Sequence, residues 1–381
     1  MDVAYVSSQI YPFCKGGTEK RIYEIGRRLA ASGHEVTVYG RQWWDGPTEI
    51  EYDGTKLYGV SPGHDQFGAQ RRSIAEALRF SADLAGPLYE HGGRHDVVVA
   101  SVSEHFPVWV ARLNVSLDST PLVTTWHEVW DYDYWREYLE VLGPIGWIVQ
   151  LVTAKLPQQA IAVSPSTANR LARLRSAEDI EIVPNGVDVD AIRSVSPAED
   201  GFDVLFIGRL IPEKNVGVLL RAFDELADSY DVTLGIIGDG TQSADLRARA
   251  TSMTHAEDVT FLGFVERDED VHAYMRAARA FVLPSVREGF GITLLEAMAA
   301  DCTVITVSHP NSAASDVVGE FGFVTDVSAS SIAGALGRAL DGERPARDPM
   351  ARAREFDWDR IAGRAEHVYR SAVGYESDTA E

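Results

Sequence analysis

The chain has 381 residues, which favours two α/β domains over one, and its 45% apolar content supplies two sizeable cores. Against 35 Lys and Arg stand 57 Asp and Glu, a net charge of −22, and no basic stripe is present, which argues against nucleic acid as a partner. Two cysteines, Cys14 and Cys302, lie in different expected domains and exclude a disulfide framework or a cysteine-based zinc site.

Only five of the basic residues are lysines: Lys15, Lys20, Lys56, Lys155 and Lys214. An acidic, lysine-poor composition suits a protein that works in molar salt, where screening removes self-repulsion. A halophilic source is therefore expected, the competing explanation being an acidic protein from a GC-rich genome. No run of 18 apolar residues occurs, and the first residues, MDVAYVSSQ, lack the basic start of a secretory signal. A cytoplasmic location is expected, with peripheral contact at the inner face of the membrane left open.

In chain order, VAYVS (3–7) opens a series of strand–helix units. A helix near 17–31 and EVTVYG (35–40) follow, then TKLYGV, a helix near 72–91, DVVVAS (96–101), PLVTTWH (121–127) and AIAVS (160–164). These strands are short, β-branched and nearly continuous in apolar character, as parallel strands covered on both faces are. Residues 184–201, PNGVDVDAIRSVSPAEDG, are rich in Pro, Ser, Asp and Gly and read as an interdomain linker. A second series takes in DVLFIGRL (203–210), VTLGIIGDG (232–240), VTFLGFV (259–265), AFVLPS (280–285) and CTVITVS (302–308). The end of the chain predicts an amphipathic helix followed by a frayed SDTAE. The expected division is 1–186 for the N-terminal domain, completed by the C-terminal helix 356–381, and 187–355 for the C-terminal domain.

Ligands of open α/β sheets bind outside the carboxyl ends of the strands, and polar residues gather at these positions. Lys15, Gly16 and Gly17 follow the first strand, His127 and Glu128 follow TTW, and Arg209 and Lys214 follow VLFIG. Asp239 and Gly240 follow GIIG. The densest segment is REGFGITLLEAMAA (287–300), where Glu288 and Glu296 are separated by seven residues. There a strand, a tight Gly289-Phe290-Gly291 loop and a helix start at Ile292-Thr293-Leu294 would aim unpaired N–H groups at an anion. Arg209 offers a planar donor fork and Lys214 a compact point charge for an anion.

The ordered set of the Gly16-Gly17 loop, PNGVD (184–188), GRLIPEKN (208–215) and the E-x7-E segment resembles the retaining glycosyltransferases of family 4 over essentially the whole chain. The resemblance implies a GT-B fold: two Rossmann-like, doubly wound parallel-sheet domains facing across a cleft. It also implies a nucleotide-sugar donor and transfer of a hexose to a hydroxyl acceptor with retention. Arg209, Lys214, Glu288 and His127 would be the catalytic residues, with Glu288 against donor-sugar hydroxyls and His127 approaching the sugar from the first domain. Glu296 would hold the ribose hydroxyls. Gly16, Gly17, Gly238, Gly289, Phe290, Gly291, Ile292, Thr293 and Leu294 would line the donor, and the base would pack near Phe264 and Val265.

Asp-x-Asp occurs at Asp131/Asp133, Asp188/Asp190, Asp268/Asp270 and Asp357/Asp359, as 57 acidic residues would supply without design. Arg209 and Lys214 already provide countercharge, so no metal or other cofactor is expected. The acceptor is expected to be a glycan, a glycolipid or a polyprenyl-linked glycan. The aromatic stretch 126–157, with Trp126, Trp130, Trp135 and Trp147, reads either as an acceptor or lipid-facing surface or as a buried crossover helix broken at Gly143-Pro144. Trp43-Trp44 and Tyr11-Pro12-Phe13 could stack on sugars or pack in the core. A nucleotide-sugar 2-epimerase and a non-catalytic sugar-nucleotide-binding subunit are the competing functions.

Overall fold

The computed structural model describes residues 1–63 and 74–374. The expected frayed tail and the first residues of the helix near 72–91 lie outside the described residues. The chain forms two compact units, one of Met1–Asn185 with the returning segment from Trp358, the other Gly186–Asp357.

The first unit contains strands β1 (Asp2–Val6), β2 (Glu35–Gln42), β3 (Glu49–Tyr52), β4 (Thr55–Pro62), β5 (Val97–Ser101), β6 (Leu122–Trp126), β7 (Gln159–Ala162) and β8 (Ile180–Ile182), in the sheet order β3-β4-β2-β1-β5-β6-β7-β8. All neighbours pair in parallel except β3 and β4, which form an antiparallel hairpin. The sequence does not announce β3, because its EIEY alternates like a solvent-facing edge strand rather than a buried one.

Two apolar layers cover the sheet. On one face Val3, Tyr5, Val97, Val99, Val123 and Ile161 pack under Ile22, Ile25 and Leu29 of the helix Gly17–Ala31. The same layer includes Trp358, Ile361, Ala365, Val368 and Tyr369 of the last helix, Trp358–Val373. The 3.6-residue spacing of those five residues puts them on one stripe, which is why the chain returns to this sheet. On the other face Ala4, Val6, Val98, Ala100 and Ala160 meet Phe80, Leu84, Val108, Ala111 and Ala154 from three helices.

The second unit contains β9 (Val204–Ile207), β10 (Leu234–Ile237), β11 (Val259–Gly263), β12 (Ala280–Leu283), β13 (Thr303–Val307) and β14 (Phe323–Thr325). Their order, β11-β10-β9-β12-β13-β14, is wholly parallel. Successive strands run outward from β9 through β10 to β11, then resume on its other side with β12. The order therefore reverses between β9 and β12, the place where doubly wound sheets open a crevice. Those two strands pair only at Val204↔Ala280 and Leu205↔Phe281, and beyond these residues their carboxyl ends separate.

The division between the two units, Asn185/Gly186, falls within residues 184–201, and part of this stretch is helical. Asp188 caps the helix Val189–Ser194 through its Oδ1 and the Ala191 N–H at 2.9 Å, and Val189 and Ile192 are buried. The Gly143-Pro144 pair starts a helix rather than breaking one. Proline is tolerated in the first turn, so the stretch 126–157 resolves into the helices Tyr132–Leu139 and Gly143–Lys155. No helix among the described residues is long and apolar enough to cross a membrane.

Candidate active site

In the second unit, the residues singled out by the sequence gather at the carboxyl ends of β9 to β12. Gly208 continues β9 and hands over to Arg209, a short 3-10 turn Pro212–Lys214 and the helix Val216–Ala227. Asn215, in the left-handed conformation at φ 55°, turns the chain into that helix. The turn is tied across the crevice by the Val286 N–H, which donates to the Glu213 carbonyl at 2.9 Å. This places Lys214 against the loop that follows β12.

Lys214 and Glu288 form an ion pair over the reversal point, with only 15% and 14% of their side-chain surfaces exposed. Separate tasks were expected of the two residues; in the structure they are partners. Glu288 is fixed by its backbone, its N–H donating to the Asn311 carbonyl at 3.3 Å and its carbonyl accepting from Ala313 at 2.8 Å. Arg209 differs: its side chain is exposed and makes no hydrogen bond or ion pair with any described residue of its unit. One cation is thus held in reserve by a carboxylate, and the other points into solvent.

The loop after Glu288 ends at Gly291, whose φ of 88° a side chain would strain, and whose Cβ would meet Leu294 Cδ1 at 2.8 Å. Gly291 opens the helix Ile292–Ala299 without a side-chain cap. The N–H groups of Ile292 and Thr293 have no backbone acceptor among the described residues. That of Leu294 already donates to the Gly291 carbonyl at 3.0 Å, so two donors rather than the expected three remain for an anion. Glu296 is buried on this helix at 7% exposure. The Phe290 ring is buried against Phe356 at 5.8 Å between centroids, so Phe290 offers the site its backbone alone.

Gly238 allows the closest approach in this unit. Its φ is 133°, and a Cβ there would stand 2.0 Å from the Gly208 carbonyl oxygen. Two hydrogen bonds lock the crossing, from Gly208 N–H to Ile237 O at 3.0 Å and from Gly238 N–H to Gly263 O at 2.7 Å. Next to it, the Asp239 carboxylate accepts from Ser243 Oγ and the Gly240 N–H, which holds its pKa below the usual carboxylate value. Phe264 stands 59% exposed just past β11. Phe264 and Val265 are three strands away from β12 in the sheet order, at the far side of the row from the ion pair.

In the first unit, Gly16 is the extended residue before the helix Gly17–Ala31, whose N-terminus has no side-chain cap. His127 follows β6, half-buried, and its carbonyl accepts from Thr167 Oγ1 at 3.4 Å. The pairing of Val6 with Ala100 and of Ser101 with Thr125 sets Ser7, Ser101 and Thr125 in one row across β1, β5 and β6. The Oγ atoms of Ser7 and Ser101 are buried without a hydrogen-bond partner. Glu104 accepts from Ser8 Oγ at 3.0 Å. None of these was singled out from the sequence, although a polar residue directly after an apolar strand, as in VAYVSS and VVVAS, is the signal that finds them.

Other candidates resolve into structural roles. Tyr11 stacks on Tyr23 at 4.3 Å, and Phe13 lies 5.5 Å from Trp44. Trp43 and Trp44 pack against the core of the first unit. Among the aspartate pairs, Asp131 and Asp188 cap helices, and Asp359 bonds Arg28.

Comparison with known proteins decides the family. Residues 15–191 match the model of Glycosyltransferase Family 4, and residues 188–356 that of Glycosyl transferases group 1. The chain is 33% identical over 375 residues to the phosphatidyl-myo-inositol mannosyltransferase of Mycobacterium tuberculosis, covering 94% of each chain. The chain belongs to glycosyltransferase family 4. This glycosyltransferase is also 32% identical to the D-inositol 3-phosphate glycosyltransferase of Acidothermus cellulolyticus, over 94% of its own length and 86% of the relative's. Its fold is GT-B. The sucrose-phosphate synthase of Thermosynechococcus elongatus superposes with a TM-score of 0.81 at 18% identity, covering 98% of this chain and 99% of the other. Anabaena HepE in complex with UDP-glucose superposes at 0.72 and 18% identity, covering 97% and 100%.

Proposed function

We propose that this glycosyltransferase moves a hexose from a nucleoside-diphosphate sugar to a hydroxyl of a glycan or lipid-linked glycan, with retention of configuration. The observation that carries the reading is the Lys214–Glu288 pair at the point where β9 and β12 separate, flanked by the unpartnered Arg209 and by the free N–H groups of Ile292 and Thr293. Loss of the nucleoside diphosphate develops negative charge on the β-phosphate. Lys214, Arg209 and the helix start are the groups that would stabilise it. Glu288, released by Lys214 as the phosphate takes over the ammonium, would accept hydrogen bonds from sugar hydroxyls. Glu296 takes the ribose and Phe264 and Val265 the base. His127 is assigned to the donor sugar. The departing phosphate oxygen serves as base for the incoming hydroxyl.

With two cationic side chains for one diphosphate, the reaction needs no metal, and activity is expected to survive EDTA. The relatives named for phosphatidylinositol and inositol phosphate, and the neighbour complexed with UDP-glucose, support an activated-sugar donor. A lipid-linked acceptor is supported by Val141, Ile145, Ile148 and Val152. They are 91, 57, 57 and 41% exposed at helical spacing, in a stretch without charge from Val141 to Val152. The −22 charge and scarcity of lysine support a cytoplasm of high salt. The test is release of nucleoside diphosphate from UDP-, GDP- and ADP-hexoses with and without polyprenyl and glycolipid acceptors in molar KCl. Acceptor-dependent release with retained anomeric configuration is expected. Conversion of the donor sugar without acceptor would instead mark an epimerase.

A further inference from the structure

Arg21 lies in the second turn of the helix Gly17–Ala31, which covers the first sheet, and it is 2% exposed. A guanidinium taken out of water costs several kcal/mol unless a counter-charge meets it. No carboxylate pairs with Arg21 among the described residues. Its Nη1 donates to the Pro184 carbonyl at 2.5 Å and to Asn185 Oδ1 at 3.1 Å, and its Nη2 has no partner at all. A second cation, Arg364, acts on it, and the Arg364 guanidinium donates to the Ile182 carbonyl. Burial pushes the Arg21 pKa down.

Arg21 lines a cavity of about 10 Å3, together with Ser101, Thr125, His127, Tyr5, Tyr369 and three apolar side chains. That is room for a single water-sized particle. Ser101 Oγ is a second buried group there without a partner, at 7% residue exposure, and Thr125 is its in-register neighbour on β6. The two phenols hydrogen-bond to each other at 3.2 Å, and burial raises both of their pKa values, so neither supplies a negative charge. The space is thus walled by a buried cation, hydroxyls, the His127 ring and the apolar Ile22, Ile25 and Val99, and no carboxylate lines it. A neutral water would satisfy Ser101 but leave the Arg21 charge uncompensated. Phosphate and carboxylates are too large.

We propose that this cavity is a structural binding site for a chloride ion, held by Arg21 Nη2 and the hydroxyls of Ser101 and Thr125. The ion pins the helix Gly17–Ala31 to the ends of β5 and β6. The site belongs to the first unit; His127, assigned above to the donor sugar, forms part of its wall, and ion binding and stability rather than turnover report on it.

Two measurements test it. In crystals soaked in bromide, an anomalous peak is expected in this cavity within hydrogen-bond reach of Arg21 Nη2 and Ser101 Oγ. In molar potassium glutamate, adding chloride at constant ionic strength should raise the unfolding midpoint of the wild-type protein by a few °C and then saturate. Arg21→Met should abolish the rise and Ser101→Ala should weaken it. If Arg21→Met does not fold, Ser101→Ala and the bromide peak decide the matter. A cavity with water density and no anomalous signal, or a midpoint indifferent to chloride in the wild type, overturns the proposal.

Discussion

Replacing Glu288 by Gln separates two explanations of the Lys214–Glu288 pair: a structural tether and a gate on the phosphate-binding cation. The side chains are about 85% shielded from solvent, since 15% and 14% of their surfaces remain exposed. At a separation of about 4 Å between charge centres, the attraction is about 4 kcal/mol at an effective dielectric constant of 20 and about 1 kcal/mol in bulk water. Desolvation and side-chain ordering offset part of this, so a coupling of about 1–3 kcal/mol is expected from a Lys214→Met, Glu288→Gln cycle in thermal unfolding. Glu288→Gln leaves the ammonium without its partner and also removes a negative charge that repels a diphosphate. Calorimetric affinity of the variant for the cognate nucleoside diphosphate should therefore rise about tenfold, equivalent to about 1.4 kcal/mol. Lys214→Met should weaken it at least about tenfold. Turnover should fall by about a hundredfold in both, because in the proposed mechanism each loses a group that acts at the reacting centre. If Glu288→Gln weakens diphosphate binding as much as Lys214→Met does, Glu288 serves to hold Lys214 in place, and the gating argument is wrong.

Gly238→Ala should cost at least about 2 kcal/mol of stability, because the left-handed backbone is strained by a side chain and the Gly208 carbonyl leaves it no room; an unchanged unfolding midpoint would refute the crossing described. His105 lies 6.2 and 5.9 Å from the rings of Trp126 and Trp135, and burial lowers its pKa from 6.5 to about 4. In that interval the unfolded chain binds the extra proton, so stability is complete above pH 6.5 and declines toward pH 4, by at most roughly 3 kcal/mol from this group. His105→Phe should flatten that limb of the midpoint–pH curve, and an unaltered limb would assign it to other groups. Dilution from molar KCl into low salt should lower the unfolding midpoint steeply, given a net charge of −22; a midpoint independent of salt would remove the halophile proposal.

The parallel sheets were legible because VAYV, VVVA, VLFI and AFVL are continuous apolar runs, which only strands covered on both faces need. The segment 287–300 was legible because glycine at 291 and the helix start behind it follow a strand directly. Four features were not. The hairpin strand β3 carries glutamates and looks like a loop. The exposed ridge of Val141, Ile145, Ile148 and Val152 has the same composition as a buried helix, and only the packing of neighbouring elements says which face is left uncovered. The contact of Lys214 with Glu288 joins residues 74 positions apart and depends on where β9 and β12 cease to pair. Arg21 likewise looks like any charged helix residue until the sheet order closes the space around it.

The central claim is that the row of loops after β9 to β12 binds a nucleoside diphosphate through Arg209 and Lys214. Titration calorimetry of UDP, GDP and ADP into the full chain in molar KCl, with Arg209→Ala alongside, tests it most directly. Micromolar binding of one diphosphate, lost or weakened at least about tenfold in Arg209→Ala, is the predicted result. Absence of binding by all three to the folded protein, or binding that Arg209→Ala leaves intact, would contradict it.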